Sequence, residues 1–158
     1  MSEGSPPVVV VTDEQTDVAV DLGVWKSLAE QVLVDEGLGA RAELNVTFVD
    51  RSAIADLNEN HMGKSGPTDV LSFPLEDDAV GEGFVAPPDQ PRLLGDVVIC
   101  PAVVHAQAPD SPRDEMALMV VHGILHILGM DHQEPDEEAI MKTAEKRHLD
   151  RWREEAIV

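Results

Sequence analysis

Met116-Ala117-Leu118-Met119-Val120-Val121-His122-Gly123-Ile124-Leu125-His126-Ile127-Leu128-Gly129-Met130-Asp131-His132 is apolar on almost every side of a helix, so this helix belongs at the centre of the fold. Ser111-Pro112-Arg113-Asp114 opens it, with Ser at the N-cap, Pro at the first helical position and an acid in the first turn. Gly129 ends it, because the residue just past a helix often takes the left-handed conformation that glycine adopts without a Cβ penalty. Histidines on a buried helix need partners. Four residues apart, His122 and His126 project from neighbouring turns of one face, with Cβ atoms about 5 to 6 Å apart. The chain then turns at Gly129, and His132 arrives three residues later. Three imidazoles around one ion leave a tetrahedral position open, as in catalytic rather than structural zinc sites. One Zn2+ ion is the expected cofactor, held by His122, His126 and His132; other divalent transition metals also accept imidazole.

Outward from this helix, Leu93 to Cys100 reads as a strand in which Asp96 interrupts an apolar run. Asp96 is either a strand-end turn residue or a carboxylate that orients a metal-bound imidazole. Cys100 reads as a small core residue. Asp69 to Leu75 alternates as a strand with Leu71, Phe73 and Leu75 on one face, and Pro74 places it at a sheet edge or at its own end. Such an edge, next to the histidine helix, would expose backbone donors. Residues 76–91 are acidic and rich in Gly and Pro, and are expected to form a mobile loop. Toward the N-terminus, Val8 to Val11 suits a buried strand and Thr16 to Val20 a second short one. Leu22, Trp25, Ala29, Val32 and Leu33 recur at helical spacing up to Gly37-Leu38-Gly39, and Leu44, Val46 and Phe48 alternate as a strand. Ile54, Leu57 and His61 resume helical spacing, with His61 a cleft residue and His105 and His148 surface residues. Gly63-Lys64-Ser65 is not a phosphate loop, since Asn58 occupies the position that needs glycine. The order of elements predicts an α+β fold: a small mixed β-sheet covered by helices, in one domain spanning residues 1–158, with a central buried helix that carries the metal ligands.

The formal net charge of −20, from 31 acids against 11 bases, opposes a polyanionic partner unless a local basic patch or high salt offsets it. A salt-rich or otherwise acidic cellular proteome would explain such a surface. Lys142, Lys146, Arg147, Arg151 and Arg153 form a basic stretch near the end, readable as a stripe that faces a polyanion. It also reads as a solvated helix that starts with acids and ends with bases, with Glu138 and Lys142 a favourable i,i+4 pair. The first residues carry no secretory signal pattern, no stretch approaches a membrane span, and a lone cysteine excludes an internal disulfide, so a cytoplasmic location is expected.

The histidine spacing resembles the zinc motif of metzincin proteases, except that Gly123 stands where those enzymes carry their glutamate base. Peptidase chemistry therefore ranks below another metal-assisted hydrolysis. The whole run from His122 to His132, with Gly66-Pro67-Thr68-Asp69-Val70-Leu71-Ser72-Phe73-Pro74 and Leu94-Gly95-Asp96-Val97-Val98-Ile99, closely resembles the YbeY family of bacterial metal-dependent endoribonucleases, from about Leu44 to Trp152. The resemblance implies cleavage of single-stranded RNA in ribosomal RNA maturation and ribosome quality control. Its implied partners are ribosomal RNA and, through it, ribosomal proteins or the small subunit. It makes His122, His126 and His132 the zinc ligands and puts Thr68, Asp69 and Ser72 beside the substrate. Many members carry an arginine for RNA phosphate at the position of Met62, which leaves that role to Lys64 or another basic residue. A water on the zinc is the expected nucleophile; no side chain is assigned as general base, and Asp131 reads as a structural or orienting group. The alternative is a ribosome-assembly or RNA-binding factor whose metal only holds the fold.

Overall fold

The computed structural model describes residues 7–39, 42–75, 92–131 and 133–157. Its sheet contains β1 (Val8–Asp13), β2 (Ala42–Phe48), β3 (Val70–Pro74) and β4 (Arg92–Ile99) in the order β1-β2-β4-β3. β1, β2 and β4 run parallel, whereas β3 pairs antiparallel with β4 and forms an edge. The expected mixed sheet is present, and Pro74 lies on an edge strand, where its missing N–H costs no ladder bond.

Strand alternation divides the interior in two. Leu44, Val46 and Phe48 of β2 join Val97 and Ile99 of β4 on one face, against α1 (Leu22–Asp35) and α4 (Pro112–Ile127). On the other face Leu71 and Val98 join Val49, Ile54 and Cys100 in a smaller cluster, covered by α2 (Arg51–Leu57). Cys100 is fully buried there, as expected of a small core side chain. A π-helical turn, Asn58–Met62, continues α2, and the short helix α3 (Pro101–Gln107), not foreseen from sequence, follows β4 directly with Pro101 in its first turn. α5 (Pro135–Ile157) packs on α4.

α4 is the predicted central helix: Met116, Val120, Val121, Ile124 and Leu125 are at most 2% exposed. Ser111 occupies its N-cap position, though no side-chain cap bond forms there. Gly129 has φ 99°, and the Met130 and Gly129 amides donate to the carbonyls of Leu125 and His126 at 2.9 and 3.0 Å. This paired closure is the helix stop anticipated at the glycine.

Three local expectations are corrected. Thr16 to Val20 forms no strand; the Gln15 amide group holds the segment in a turn by donating to Asp13 Oδ1 and the Val18 carbonyl, each at 2.8 Å. β1 is an outer strand rather than a buried one, with Val8 and Val10 each 46% exposed and Val9 3%, because only one of its faces meets α1. His148 is 2% exposed rather than on the surface, since the face of α5 that carries it turns toward the C-terminal end of α1. His105 is half-buried.

Candidate metal centre

His122 and His126 both leave α4 on the side that faces β3. Their rings meet edge to face with centroids 4.6 Å apart. Both border a cleft of about 330 Å³, closed on the other side by Met62, Asp69 and the β3 residues Val70, Leu71, Ser72 and Pro74. Sequence spacing therefore placed the pair correctly. His132, the third member, lies outside the described residues, and among those residues no group of three or more His, Cys, Asp or Glu side chains is placed to hold a metal ion.

A carboxylate that sequence reasoning missed backs the first histidine. Glu145, on α5, lies 2.5 Å from His122, with Nδ1–H donating to Oε2. The two side chains are 25% and 13% exposed, so the bond is partly shielded from water. Such a contact fixes the ring orientation and, for a neutral imidazole, puts the proton on Nδ1. The donor set thus suits a divalent cation: two imidazoles on one face, one already oriented by a carboxylate behind it. A signal for Glu145 existed in the sequence. Met141, Ala144 and Leu149 are buried at helical spacing, and Glu145 falls within that apolar stripe as an acid that must be satisfied.

Asp96, the acid considered for this orienting role, does not take it. It lies inside β4, not at its end, and accepts from Asn45 Nδ2 at 3.0 Å across the β2–β4 pair. Its neighbour Val97 points at α4, so alternation turns Asp96 to the opposite face of the sheet, away from the histidines.

Gly123 explains how close the sheet comes. A Cβ there would lie 2.6 Å from Val97 Cγ1 and 3.3 Å from Val70 Cγ2. The site that carries a glutamate base in metzincins has no room here even for a methyl group. Ser72 completes the contact, its Oγ–H donating to the Gly123 carbonyl at 2.9 Å. Asp69 is equally engaged: Oδ1 accepts from the Val70 amide at 2.7 Å, and Oδ2 accepts from Gln107 Nε2 at 2.9 Å. Thr68 Oγ1 donates to Asp69 Oδ1 at 3.3 Å. These bonds brace the start of β3. Thr68 and Lys64 are not among the residues that line the cleft, and Lys64 is exposed. His61 sets its ring edge against Phe73, centroids 5.3 Å apart, and is likewise outside the lining.

The basic stretch of α5 is mostly paired. Arg147 bonds Glu36 at 2.8 Å, Arg151 bonds both Asp35 and Glu155, and Lys146 bonds Asp150 at 2.7 Å. The Arg151 hydrogen bond, with one from Gln31, holds the Glu155 carboxyl below the ordinary carboxylate range. These contacts favour the reading of most of the stretch as a structural and solvated helix face.

Residues 10–153 match the family model described as Endoribonuclease YbeY. A protein of that name from Salinispora tropica is 43% identical over 140 residues, covering 85% of this chain and 89% of its own. Another from Beutenbergia cavernae is 44% identical over 138 residues, covering 85% and 91%. The fold matches the solution structure of a Thermotoga maritima protein with TM-score 0.63 and 25% identity, covering 94% of this chain and 91% of that one. By sequence over most of its length and by fold, the chain belongs to the YbeY family.

Proposed function

We propose that the protein is a zinc-dependent endoribonuclease that cleaves single-stranded RNA in the cytoplasm, acting in ribosomal RNA maturation and ribosome quality control. Membership of the family supports the nuclease activity. The observation that carries the metal dependence is the His122–His126 pair at the head of the cleft, with Glu145 behind His122. His132 completes the ligand set by its spacing in the sequence.

A bound divalent cation supplies Lewis acidity toward a phosphoryl oxygen and acidifies water at neutral pH. The chain's own groups do the rest. Glu145 keeps the proton of a neutral His122 on Nδ1, which leaves Nε2 as the nitrogen that would hold the cation. β3 forms the opposite wall, and its antiparallel partner β4 occupies only one of its edges. Ser72 and Gly123 lock that wall to the histidine helix, which fixes the spacing between the β3 edge and the two imidazoles. Asp69, already accepting from a backbone amide and from Gln107, braces the wall rather than serving as a proton acceptor.

Elemental analysis of the purified protein, paired with cleavage of a labelled single-stranded RNA before and after chelation, tests this reading. The expected result is about one zinc per chain, cleavage lost on chelation and regained with Zn2+, and no cleavage by a folded His126→Ala variant. Zinc without cleavage would instead favour an assembly factor with a structural metal, a role that the net charge of −20 makes chemically reasonable. Zinc-dependent cleavage of unfolded protein would favour a peptidase.

A further inference from the structure

His122 stands between two hollows. One is the β3 cleft; the other, about 240 Å³, is lined by Glu138, Met141, Lys142 and Glu145 of α5 together with His122 itself. A strand lying across the histidines from the β3 side therefore continues over α5. Apart from the histidines, the charged side chains that line the two hollows among the described residues are Asp69, Glu138, Glu145 and Lys142. A single ammonium faces three carboxylates, and Met62 at the other mouth brings no charge.

Lys142 also differs from its neighbours on α5. Lys146, Arg147 and Arg151 are bound to carboxylates, and Arg153 has Asp114 and Asp150 each at 3.8 Å. Lys142 is exposed and makes no ion pair among the described residues. A cation held by a carboxylate has its donors already engaged, whereas the Lys142 ammonium shares its hollow with Glu138 and Glu145 but forms an ion pair with neither, so it can turn to an incoming anion. Its position matters more because the chain as a whole repels polyanions.

We propose that Lys142 binds a backbone phosphate of the RNA strand as it leaves the metal centre over α5. The assignment rests on the endoribonuclease reading and adds a direction to it, from the β3 edge past His122 to α5. A lysine acts there as a point charge that positions the backbone without reading the bases. It is a binding residue and takes no part in bond cleavage.

The test is equilibrium binding of a labelled single-stranded phosphorothioate RNA to the metal-loaded protein across a KCl series, with turnover measured separately. Lys142→Ala is expected to weaken binding about three- to tenfold at low salt, equally for unrelated sequences, and to flatten the log–log salt dependence by about 0.7. Lys142→Glu weakens it further, Lys142→Arg restores it, and Lys146→Ala, whose ammonium is held by Asp150, leaves it unchanged. Zinc content stays at the wild-type value throughout, which separates the effect from damage to His122. Wild-type affinity and salt slope in both Lys142→Ala and Lys142→Glu would overturn the assignment, even if the wild-type protein cuts RNA. A wild-type protein that binds but does not cut would leave the contact standing and sink the nuclease reading; one that does not bind would sink both.

Discussion

Glu145 and His148, three residues apart on α5, each take part in a histidine–carboxylate pair of nearly equal length, 2.5 Å to His122 and 2.6 Å to Glu36. Their surroundings differ. The His148 side chain is 1% exposed, its Nε2 against Glu36 and its Nδ1 3.7 Å from Asp35, so carboxylates stand at both ring nitrogens. The His122 side chain is 25% exposed, is gripped by Glu145 through Nδ1, and borders two clefts. The first pair clamps α5 to the end of α1. The second aims a ring into a cavity. Bond length does not tell a buried clamp from a histidine open to a cleft; what lies on the rest of the ring does.

The sharpest way to break this comparison is to remove each histidine in turn. His122→Ala should lower kcat/KM by about a thousandfold or more, several kcal/mol of transition-state stabilisation, with a urea midpoint close to wild type. His148→Ala should instead lower unfolding stability by about 2 kcal/mol, because it deletes an almost fully buried ring from the contact between α1 and α5, while Glu36 and Asp35 keep Arg147 and Arg151 and zinc content and activity per folded molecule persist. Urea unfolding and steady-state kinetics on both variants decide this; equal stability losses would dissolve the distinction.

A smaller effect is expected at Glu145. Glu145→Gln or Glu145→Ala should weaken zinc binding by about 10- to 100-fold in a chelator competition, with a lesser change in thermal midpoint. A midpoint shift as large as that of His148→Ala, without loss of zinc affinity, would make this pair a second clamp. Smallest is Gly123→Ala. The methyl gains roughly 1 kcal/mol of helix propensity but meets Val97, for a net cost of about 1 to 2 kcal/mol that Val97→Ala should partly recover. Thermal denaturation of the single and double variants measures both terms.

These comparisons also mark how far the sequence could be read. The central helix, its glycine stop and the adjacency of His122 and His126 were legible, because four-residue spacing and an apolar surface are properties of the helix alone. Pro74 likewise told of an edge strand. Asp96 and Glu145 show the opposite case. Asp96 interrupts an apolar run and Glu145 lies on the buried stripe of an otherwise charged helix, and nothing local says which reaches a histidine; the alternation of β4 turns Asp96 toward Asn45, while the packing of α5 on α4 delivers Glu145. His148 was misplaced for the same reason, since its burial depends on α1 lying opposite.

By itself, the chain determined whatever is encoded within a turn or two of helix or a few residues of strand. That includes the pair of imidazoles on one face, the turn at Gly129 that directs the following residues back, and the glycine at 123 that removes the protease base. Tertiary structure decided which side chains meet across elements: Glu145 with His122, Ser72 with the Gly123 carbonyl, His148 with Glu36, and Lys142 with the hollow beside His122. The physical reason is range. Spacing fixes direction along one element, but a contact between elements depends on how two independently formed surfaces are pressed together by the core they share.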